Sequence, residues 1–365
     1  MEPVTTRQLN RWTLARQHLL VRAGGLCPAY AVEAIAGMQA QAPSAPYIGL
    51  WSRLDGFQVA DLEGALGART VVKTTVMRGT RHLVATSRLA AFRVATGSSY
   101  YDSTLRLMAG LDVDLAAIRA RVAAQVAERP RSRSEVFRLV AEQVPQPHPP
   151  WLVDRPSAVA ALSVTTDLVN APESALFDAA ARSRYEVLRT EPPSPLEAAR
   201  RVSRDYLAAY GPATTADLAA WSGRPVRSFA EGLASLDLVR FRAEDGRTML
   251  DLADSPRPPD AVPAPVRFLP VGDSGLLAHA RRERVLGDEH RKLVIAKNGD
   301  VAPTFLVDGV VAGTWAVPPR AAPAGLTLRP LVRLSKADKR SVVEEGRRLL
   351  AWLRPAEPEA PVEWQ

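Results

Sequence analysis

The chain has 365 residues, of which 47% are hydrophobic, and a formal net charge of +8; this length accommodates two or three globular units. No uninterrupted apolar stretch reaches the ~18 residues that a membrane span needs, the N-terminus lacks the apolar core of a signal peptide, and the single cysteine, Cys27, excludes an intramolecular disulfide. These features predict a cytoplasmic protein, and the basic charge permits a polyanionic partner without requiring one.

The first hundred residues predict a run of helices followed by two strands. Apolar residues at helical spacing, with Thr5 as the first cap, predict four helices, over 5–22 and near 28–38, 44–54 and 58–67. The period then changes, because Thr70–Met77 and Thr80–Thr86 have the pattern of strands, with Arg78-Gly79 between them to turn the chain. A helix over 87–96 follows. Helices and then a hairpin is the order of a winged helix-turn-helix.

The same order recurs twice. In the second stretch, helices are expected over 114–128, 134–144 and 155–164, and a strand pair within 175–189. In the third stretch, helices are expected over 194–210, 215–223 and 226–235, and strands at 239–242 and 248–252 flank an Asp245-Gly246 turn. Three helix-rich units with wings therefore precede a proline-rich linker at 255–265.

Beyond the linker the pattern is typical of strands. Asn298-Gly299 and Asp308-Gly309 are the strongest short-range hairpin signals in the chain. The strands expected around them are 266–269, 292–296, 301–307 and 310–315. A helix over 336–353 follows, and the proline-rich tail is expected to be frayed. The predicted fold class is α+β and mainly helical, with units at 5–100, 111–190 and 194–254 and a β-rich region at 266–355.

Gln39 and Gln41, one residue apart, are the most informative feature of the chain. Gly37 is a natural C-terminal cap for the preceding helix, and Pro43 biases the segment towards extended backbone. On an extended segment residues i and i+2 point the same way, so both carboxamides would face one cleft with Ala40 turned away. Taken alone, a Gln-x-Gln pair also fits a solvated helix end.

Other recognisable chemistry is missing from the sequence. The five histidines are scattered, without companions at metal-ligand spacing, so no metal and no cofactor are assigned. There is no Gly-rich phosphate loop, dinucleotide fingerprint or Gly-x-Ser-x-Gly elbow. Repeated helix-turn-helix units with basic charge would by themselves suggest a DNA-binding regulator.

Five ordered segments carry a family resemblance. They are Gly-Met-Gln-Ala-Gln-Ala-Pro (37–43), Gly-Leu-Trp-Ser-Arg (49–53), Arg-Gly-Thr-Arg-His-Leu-Val (78–84), Tyr-Gly-Pro-Ala-Thr-Thr-Ala-Asp-Leu-Ala-Ala-Trp-Ser-Gly (210–223) and Val-Asp-Gly-Val-Val-Ala-Gly-Thr-Trp (307–315). Together they resemble the AlkZ/YcaQ winged-helix DNA glycosylase family over about residues 5–355. The Gln-x-Gln version resembles the branch of self-resistance glycosylases found with genotoxin biosynthesis, such as the azinomycin resistance enzyme. One departure is Leu269-Pro-Val-Gly-Asp273, where relatives often have phenylalanine in place of Gly272.

The resemblance implies a fold, an activity and a set of site residues. The fold would be three tandem winged helices that form a C-shaped molecule with a concave basic surface for DNA. The activity would be monofunctional hydrolysis of N7-alkylguanine or N3-alkyladenine from double-stranded DNA, by a monomer, with interstrand crosslinks an open question. Gln39 and Gln41 would be catalytic. The residues expected to contact nucleic acid are Arg78, Thr80, His82, Lys297, Asn298 and Gly299. A solvated turn charge is the alternative for Arg78 and a packed strand residue for His82. Either hairpin, at Asn298-Gly299 or at Asp308-Gly309, is a candidate to probe the lesion, and a plain sheet connection is the alternative for the other.

Two neutral amides could suffice for this reaction, because an alkylated purine already carries a positive charge and leaves without protonation. The remaining work is to hold one water against the anomeric carbon and to place carbonyl dipoles near the developing positive charge. The chain has few lysines, which argues against a Schiff-base lyase. Lys73 is nearest the glutamines in sequence and is expected to be an ordinary strand residue whose side chain reaches solvent.

Two other classes of function remain as alternatives. A winged-helix transcriptional regulator would bind a defined operator without chemistry, and sequence-selective binding would reveal it. A protein that sequesters the free toxin would bind the compound in the absence of DNA.

Overall fold

The computed structural model describes residues 1–97, 106, 108, 111–148, 167–178, 183–320 and 322–365. Within these ranges there are three three-stranded sheets and one five-stranded sheet, with helices packed around them. The helix expected over 155–164 lies outside the described residues.

The helices of the described part are α1 (Thr6–Arg16), α2 (Pro28–Ala34), α3 (Ala45–Arg53), α4 (Val59–Gly67), α5 (Thr86–Thr96), α6 (Leu115–Glu128), α7 (Arg133–Ala141), α8 (Pro195–Tyr210), α9 (Thr215–Ser222), α10 (Ala230–Ala234), α11 (Ser274–Leu277), α12 (Arg291–Val294) and α13 (Lys336–Leu353). The strands are β1 (Glu2–Val4), β2 (Met38–Gln39), β3 (Val71–Thr75), β4 (Arg81–Ala85), β5 (Arg131–Ser132), β6 (Leu168–Asn170), β7 (Arg184–Val187), β8 (Leu238–Ala243), β9 (Thr248–Leu252), β10 (Arg267–Leu269), β11 (Thr304–Val307), β12 (Val310–Ala316), β13 (Leu326–Pro330) and β14 (Val362–Trp364).

The sheet that carries the glutamines has the strand order β2-β4-β3, with antiparallel pairing throughout. The two strands predicted on either side of Arg78-Gly79 are confirmed as β3 and β4. Both residues of that turn have positive φ, 54° for Arg78 and 67° for Gly79. After α2 the chain reverses through Ala36 and Gly37, which also have positive φ, and enters β2 with three residues, 35–37, between the helix and the strand.

The second and third sheets have the orders β5-β7-β6 and β1-β8-β9. The strand pair expected within 175–189 is wrong in one strand, because β7 pairs with β6, which precedes that range. β8 and β9 form the predicted hairpin around Asp245-Gly246, and β1 joins its edge in parallel, an addition the sequence patterns did not indicate. The helix expected over 226–235 begins as a 3-10 turn, Val226–Phe229, and only α10 is α-helical.

The five-stranded sheet has the order β10-β11-β12-β13-β14. β11 and β12 form the hairpin predicted at Asp308-Gly309. The strand expected over 292–296 is wrong, since α12 occupies most of it, and the Asn298-Gly299 turn is closed by a single bridge between Ile295 and Val301. The tail is not frayed throughout, because β14 pairs in parallel with β13.

Two hydrophobic clusters meet at the glutamine-bearing sheet. The first joins α2, α3 and α4 to the five-stranded sheet and α13, and includes Met38, Tyr47 and Phe268. The second joins the Met77 turn and α5 to α8 and α9, and includes Val84 and Trp221. The strands beside Gln39 are therefore packed on both sides. Each large apolar side chain buried there contributes about 1.5–3 kcal/mol to stability.

The helix α1 packs against the third sheet and the C-terminal region. Trp12 meets the ring of Phe241 edge to face, and Leu14 joins the cluster under β11 and β12. The N-terminal segment is therefore bound to residues more than two hundred positions away. No helix in the described ranges is both long and apolar enough to cross a membrane.

Candidate active site

Gln39 lies on extended backbone, as predicted, whereas the chain bends at Gln41. Met38 and Gln39 pair with Leu83 and His82 of β4, and the Ala40 amide donates to the Arg81 carbonyl at 2.7 Å. Met38 and Ala40 are buried, whereas Gln39 is half-buried and Gln41 is exposed. Because alternate residues of an extended segment face opposite sides, Gln39 lies on the face opposite Met38.

The Gln39 carboxamide rests on the backbone of Gly272. Gly272 has a φ of +66°, and a β-carbon there would lie 3.2 Å from Gln39 Cδ and 3.3 Å from Nε2. The Gln39 backbone amide donates to Ser274 Oγ at 3.2 Å. Within the described part of the chain, no hydrogen bond uses the side-chain amide of Gln39, so it can bind a water or a substrate.

Gln41 is fixed by Arg81. Its Oε1 accepts hydrogen bonds from the Arg81 backbone amide and from Arg81 Nε, both at 3.1 Å. Both partners are donors, so the carbonyl side of the Gln41 amide must face them, and Nε2 is turned away. Arg81 in turn donates from Nη1 to Ser183 Oγ at 3.0 Å.

A buried ion pair holds the loop that carries Gly272. Asp273 and Arg53 form two hydrogen bonds of 2.9 Å, and each side chain is only 1% exposed. Asp273 Oδ1 also accepts from the Gly275 amide at 2.9 Å, and Arg53 Nη1 donates to the Gly49 carbonyl at 3.0 Å. The loop is thereby pinned to α3, and both carboxylate oxygens of Asp273 are engaged.

Arg78 lies in the turn before β4 and contacts α9, and His82 lies in β4 itself. Arg78 Nη1 donates to the Trp221 carbonyl, and the α-carbon of Arg78 is so close to Gly223 that a β-carbon on Gly223 would lie 2.9 Å from it. Burial lowers the pKa of Arg78 to about 10. Thr80 is half-buried, and its hydroxyl donates to the Met77 carbonyl at 3.2 Å.

His82 is not a surface residue. It is 1% exposed, and burial, with Arg78 adding to it, lowers the His82 pKa to about 3. The ring is therefore neutral at pH 7, with Nδ1 donating to the Thr80 carbonyl at 3.0 Å and Nε2 facing Arg78 Nη2 at 3.4 Å. His82 is therefore the packed strand residue that was the alternative expectation, and its contact with nucleic acid stays a prediction.

The other three predicted contact residues lie on one exposed turn. Lys297, Asn298 and Gly299 are all exposed, and the Gly299 amide closes the turn by donating to the Ala296 carbonyl at 2.9 Å. The Val301 carbonyl at the base of this turn accepts from the Gly272 amide at 3.0 Å. One hydrogen bond thus connects the base of the turn to Gly272, the residue under Gln39.

The Asp308-Gly309 turn is bound to α1 instead. Asp308 pairs with Arg7 at 2.8 Å and with Arg11, and Asn10 Nδ2 donates to the Gly309 carbonyl at 2.8 Å. The tip at Asn298-Gly299 is exposed throughout, whereas at the other turn Asp308 is exposed but Gly309 is buried against α1.

The expectation that the Lys73 side chain reaches solvent is wrong. The residue is 3% exposed, its Nζ lies 3.5 Å from the Ser174 carbonyl, and burial, with Arg81 adding to it, lowers the Lys73 pKa to about 8. In the sheet, Lys73 stands opposite Leu83, one residue out of step with Gln39 and His82. Because successive residues alternate between faces, Lys73 and Gln39 lie on opposite faces of the sheet.

Sequence reasoning missed the residues that position the glutamines. Arg81, Ser274 and the Arg53–Asp273 pair are joined to them by contacts that span 40 to 235 residues. The only local signal was the departure at Gly272. In the described ranges, no group of three or more His, Cys, Asp or Glu side chains is arranged to hold a metal ion.

Comparisons with known proteins agree with this architecture. The family model described as "DNA glycosylase AlkZ-like" matches residues 32–352. Among solved structures, the chain is similar to Streptomyces sahachiroi DNA glycosylase AlkZ, with a TM-score of 0.78, 21% sequence identity and 100% coverage of both chains. This structural likeness establishes the fold. A search of curated protein sequences finds no match.

Proposed function

Since the chain belongs to the AlkZ-like DNA glycosylase family, we propose that it hydrolyses the N-glycosidic bond of cationic N-alkylpurines in double-stranded DNA. DNA N-glycosylase activity follows from the family itself. The proposed substrates are N7-alkylguanine and N3-alkyladenine, in repair or in self-resistance to a genotoxic natural product. Their positive charge makes the base a good leaving group, so the enzyme needs no strong acid.

The free carboxamide of Gln39 is the observation that carries this proposal. Hydrolysis passes through an oxocarbenium-like sugar, which enzymes usually stabilise with a carboxylate. Asp273, next to Gly272, cannot serve because both of its oxygens are engaged by Arg53 and Gly275. A positioned amide is left for the task, and it suffices only when the base is already activated.

The two glutamines would have different roles. Gln39 Oε1 would face the developing positive charge and accept a hydrogen bond from the attacking water. Gln41, whose oxygen is held by Arg81, would donate from Nε2 and restrict where that water sits. Such positioning reduces the entropic cost of the attack.

Water would be the nucleophile, and an intact abasic site the product. A lyase needs an amine near the sugar, and Lys73 is buried on the other face of the sheet. Incubation with alkylated duplex and sodium borohydride should trap no covalent complex, and strand breaks should appear only after alkali. Breaks without alkali would contradict this.

We also propose how DNA is bound. Three winged helices, at 5–100, 111–190 and 194–254, together with the region at 266–355, would form a C-shaped monomer around the duplex. The exposed Lys297–Gly299 turn would probe the lesion, since it is joined through Val301 and Gly272 to Gln39. Replacing Lys297 and Asn298 by alanine should weaken binding to adducted duplex without lowering the melting temperature.

The central experiment compares Gln39→Ala and Gln41→Ala with the wild type on a duplex that contains N7-methylguanine. Excision is followed under single-turnover conditions, and the free base is identified by mass spectrometry. Each variant should lose roughly tenfold to a thousandfold in rate, the scale of a lost polar stabiliser. DNA affinity should stay close to that of the wild type, because phosphate contacts dominate binding.

The matched control is Gln365→Ala, which removes an exposed glutamine at the C-terminus and should leave the rate unchanged. Parallel losses of binding and rate, or a wild-type rate in the Gln39 and Gln41 double variant, would remove the glutamines from catalysis. If the wild type releases no alkylated purine, the proposed substrate class is wrong.

A further inference from the structure

A cavity of about 560 Å³ opens beside the glutamine segment, between the start of α3, the end of β12 and the end of α13. Its lining is mainly apolar and includes Pro43, Ile48, Phe177, Val271, Trp315 and Leu353. Pockets of roughly 300–1,000 Å³ are the size that holds a small organic molecule. Nothing in the reaction at the glycosidic bond itself uses this space.

The cavity shares its walls with the segments that hold both glutamines. Pro43 lies two residues after Gln41, and Val271 directly precedes Gly272, which touches the Gln39 carboxamide. A group attached to a base at the glutamines would therefore have the cavity next to it. Val271 is 37% exposed, so an apolar side chain stands uncovered at the shared rim.

The charged groups around the cavity already have partners. The Arg320 guanidinium lies 5.1 Å from the ring centre of Phe177 and pairs with Asp178. Arg354 donates to the carbonyls of Pro318 at 2.9 Å and Arg320 at 3.2 Å. Since these cations are paired or hydrogen-bonded, the cavity is suited to an uncharged group and not to an anion.

Trp315 strengthens this assignment. Its indole N–H donates into the protein, to the carbonyls of Leu269 at 2.9 Å and Thr304 at 3.1 Å. The part of the indole that lines the cavity is consequently apolar. Aromatic surfaces of this kind pack well against flat rings.

We propose that this cavity binds the apolar, aromatic appendage of a bulky N-alkylpurine adduct while the glycosidic bond lies at Gln39 and Gln41. This inference rests on the proposed function. It adds a specificity pocket, because a methyl adduct leaves the cavity empty whereas a ring-bearing adduct fills it. A pocket contact of this type changes kcat/KM by about ten- to two-hundredfold.

The test fills the cavity with Ala316→Trp, since Ala316 lines it and is exposed. Two duplexes serve as probes, one with N7-methylguanine and one with an N7-(naphthylmethyl)guanine. The variant should lose at least about tenfold in kcat/KM on the naphthyl duplex and keep its value on the methyl duplex. Ala253→Trp, an exposed position outside the cavity, is the matched control and should change neither.

Val271→Ser gives a second variant, which replaces the apolar rim without adding bulk. It should lower the ratio of naphthyl to methyl excision in the same direction. An unchanged ratio in both variants, each shown to be folded by its melting curve, would overturn the proposal, and so would equal losses on both duplexes.

Binding separates this proposal from the proposed function. Fluorescence anisotropy should show tighter binding of the naphthyl duplex than of the methyl duplex, with the difference removed by Ala316→Trp. If the wild type excises neither base but retains this difference, the substrate class is wrong and the cavity assignment stands. If it excises both bases with no preference and no difference in affinity, the cavity assignment fails alone.

Discussion

At the scale of single residues, Gly272 sets how closely the backbone approaches the Gln39 carboxamide. A β-carbon there would lie 3.2 Å from Gln39 Cδ, at a φ of +66°. We expect Gly272→Ala to lower the excision rate by about tenfold or more, because small misplacements of a catalytic group are costly. Single-turnover excision of N7-methylguanine measures this effect.

Gly246→Ala is the control for backbone strain. Gly246 has a φ of +82° with nothing near its missing β-carbon, so both variants carry the cost of a left-handed alanine, about 1–2 kcal/mol. Similar losses of melting temperature and a rate defect confined to Gly272→Ala are expected. Equal rates in the two variants would show that Gln39 does not depend on Gly272.

The buried His82 predicts a pH dependence of stability. Its folded-state pKa is about 3, below the ordinary value of 6.5, so the unfolded chain takes up the proton first. The free energy of unfolding therefore falls as the pH drops from about 6.5 towards 3, and by pH 5 the loss from this residue is on the order of 2 kcal/mol.

Urea unfolding at pH 7.5 and pH 5 measures the effect in the wild type and in His82→Gln, which cannot titrate. The variant should be less stable at pH 7.5, because the His82 ring is buried, but it should lose less stability on acidification. The same loss in both proteins would mean that His82 does not set the acid limb.

The sequence predicted the placement of some residues of the site but not the roles or the burial of others. The extended placement of Gln39 followed from Gly37, which is a local signal, whereas the bend at Gln41 was not predicted. Arg81 and Asp273 could not be assigned roles, because their partners are brought close only by tertiary packing. Burial also decided the state of Lys73 and His82, and a polar residue in a strand does not reveal which face is covered.

At the scale of elements, patterns with clear start and stop signals were the most reliable. α13 occupies the predicted residues, 336–353, after a Ser335 cap, and the hairpins at Asp245-Gly246 and Asp308-Gly309 formed as expected. The strand over 292–296 was wrong because a short apolar run fits a buried helical turn as well as a strand. β14 was missed because its partner, β13, lies more than thirty residues away in parallel pairing.

The two Gly-containing turns of the C-terminal region should respond differently to mutation. Asp308 holds its turn to α1 through Arg7 and Arg11, and the Arg11 side chain is 1% exposed. We expect Asp308→Asn to reduce stability by about 1–3 kcal/mol, because a buried guanidinium loses its carboxylate. Asparagine tolerates the positive φ at this position, so the ion pairs are the main loss.

Urea unfolding and excision of N7-methylguanine together test this. Excision at 20 °C should be unchanged in Asp308→Asn, and Asp300→Asn, on the exposed turn, should alter stability by less than about 0.5 kcal/mol. A loss of activity in a folded Asp308→Asn protein would instead assign the lesion contact to the Asp308-Gly309 turn.

At the scale of the whole molecule, the predicted units are not equally independent. The first unit shares one cluster with the C-terminal sheet and another with α8 and α9. β1 and α1 bind to the third sheet, and Arg16 forms a buried pair with Asp251. Periodicity predicts elements, but it does not report pairings between segments more than two hundred residues apart.

Within the second unit, α6 and α7 differ from the other described helices. They form a cluster of their own with Leu168, whereas later residues of this unit pack against the first, Val169 with Val72 and Ala175 in the cluster beneath the glutamines. Regions with fewer shared buried contacts open at lower free energy than the global core. We therefore expect the amides of α6 and α7 to exchange through a sub-global opening, below the free energy of α3 and α8.

Native-state hydrogen exchange at increasing urea tests this, with Ile118→Ala as the probe. Ile118 is 2% exposed in the cluster of the second unit, and its truncation should cost about 2–5 kcal/mol. Exchange should accelerate in α6 and α7 while α3 and α8 keep their protection. The single-turnover excision rate of Ile118→Ala at saturating enzyme should equal that of the wild type, because Gln39 and the residues that contact it lie outside this cluster. The matched change is Leu62→Ala, in the cluster beneath the glutamines, which should accelerate exchange in α3 and lower the excision rate. If either variant accelerated exchange equally in all helices, the chain would unfold as one cooperative unit and the expectation would be wrong.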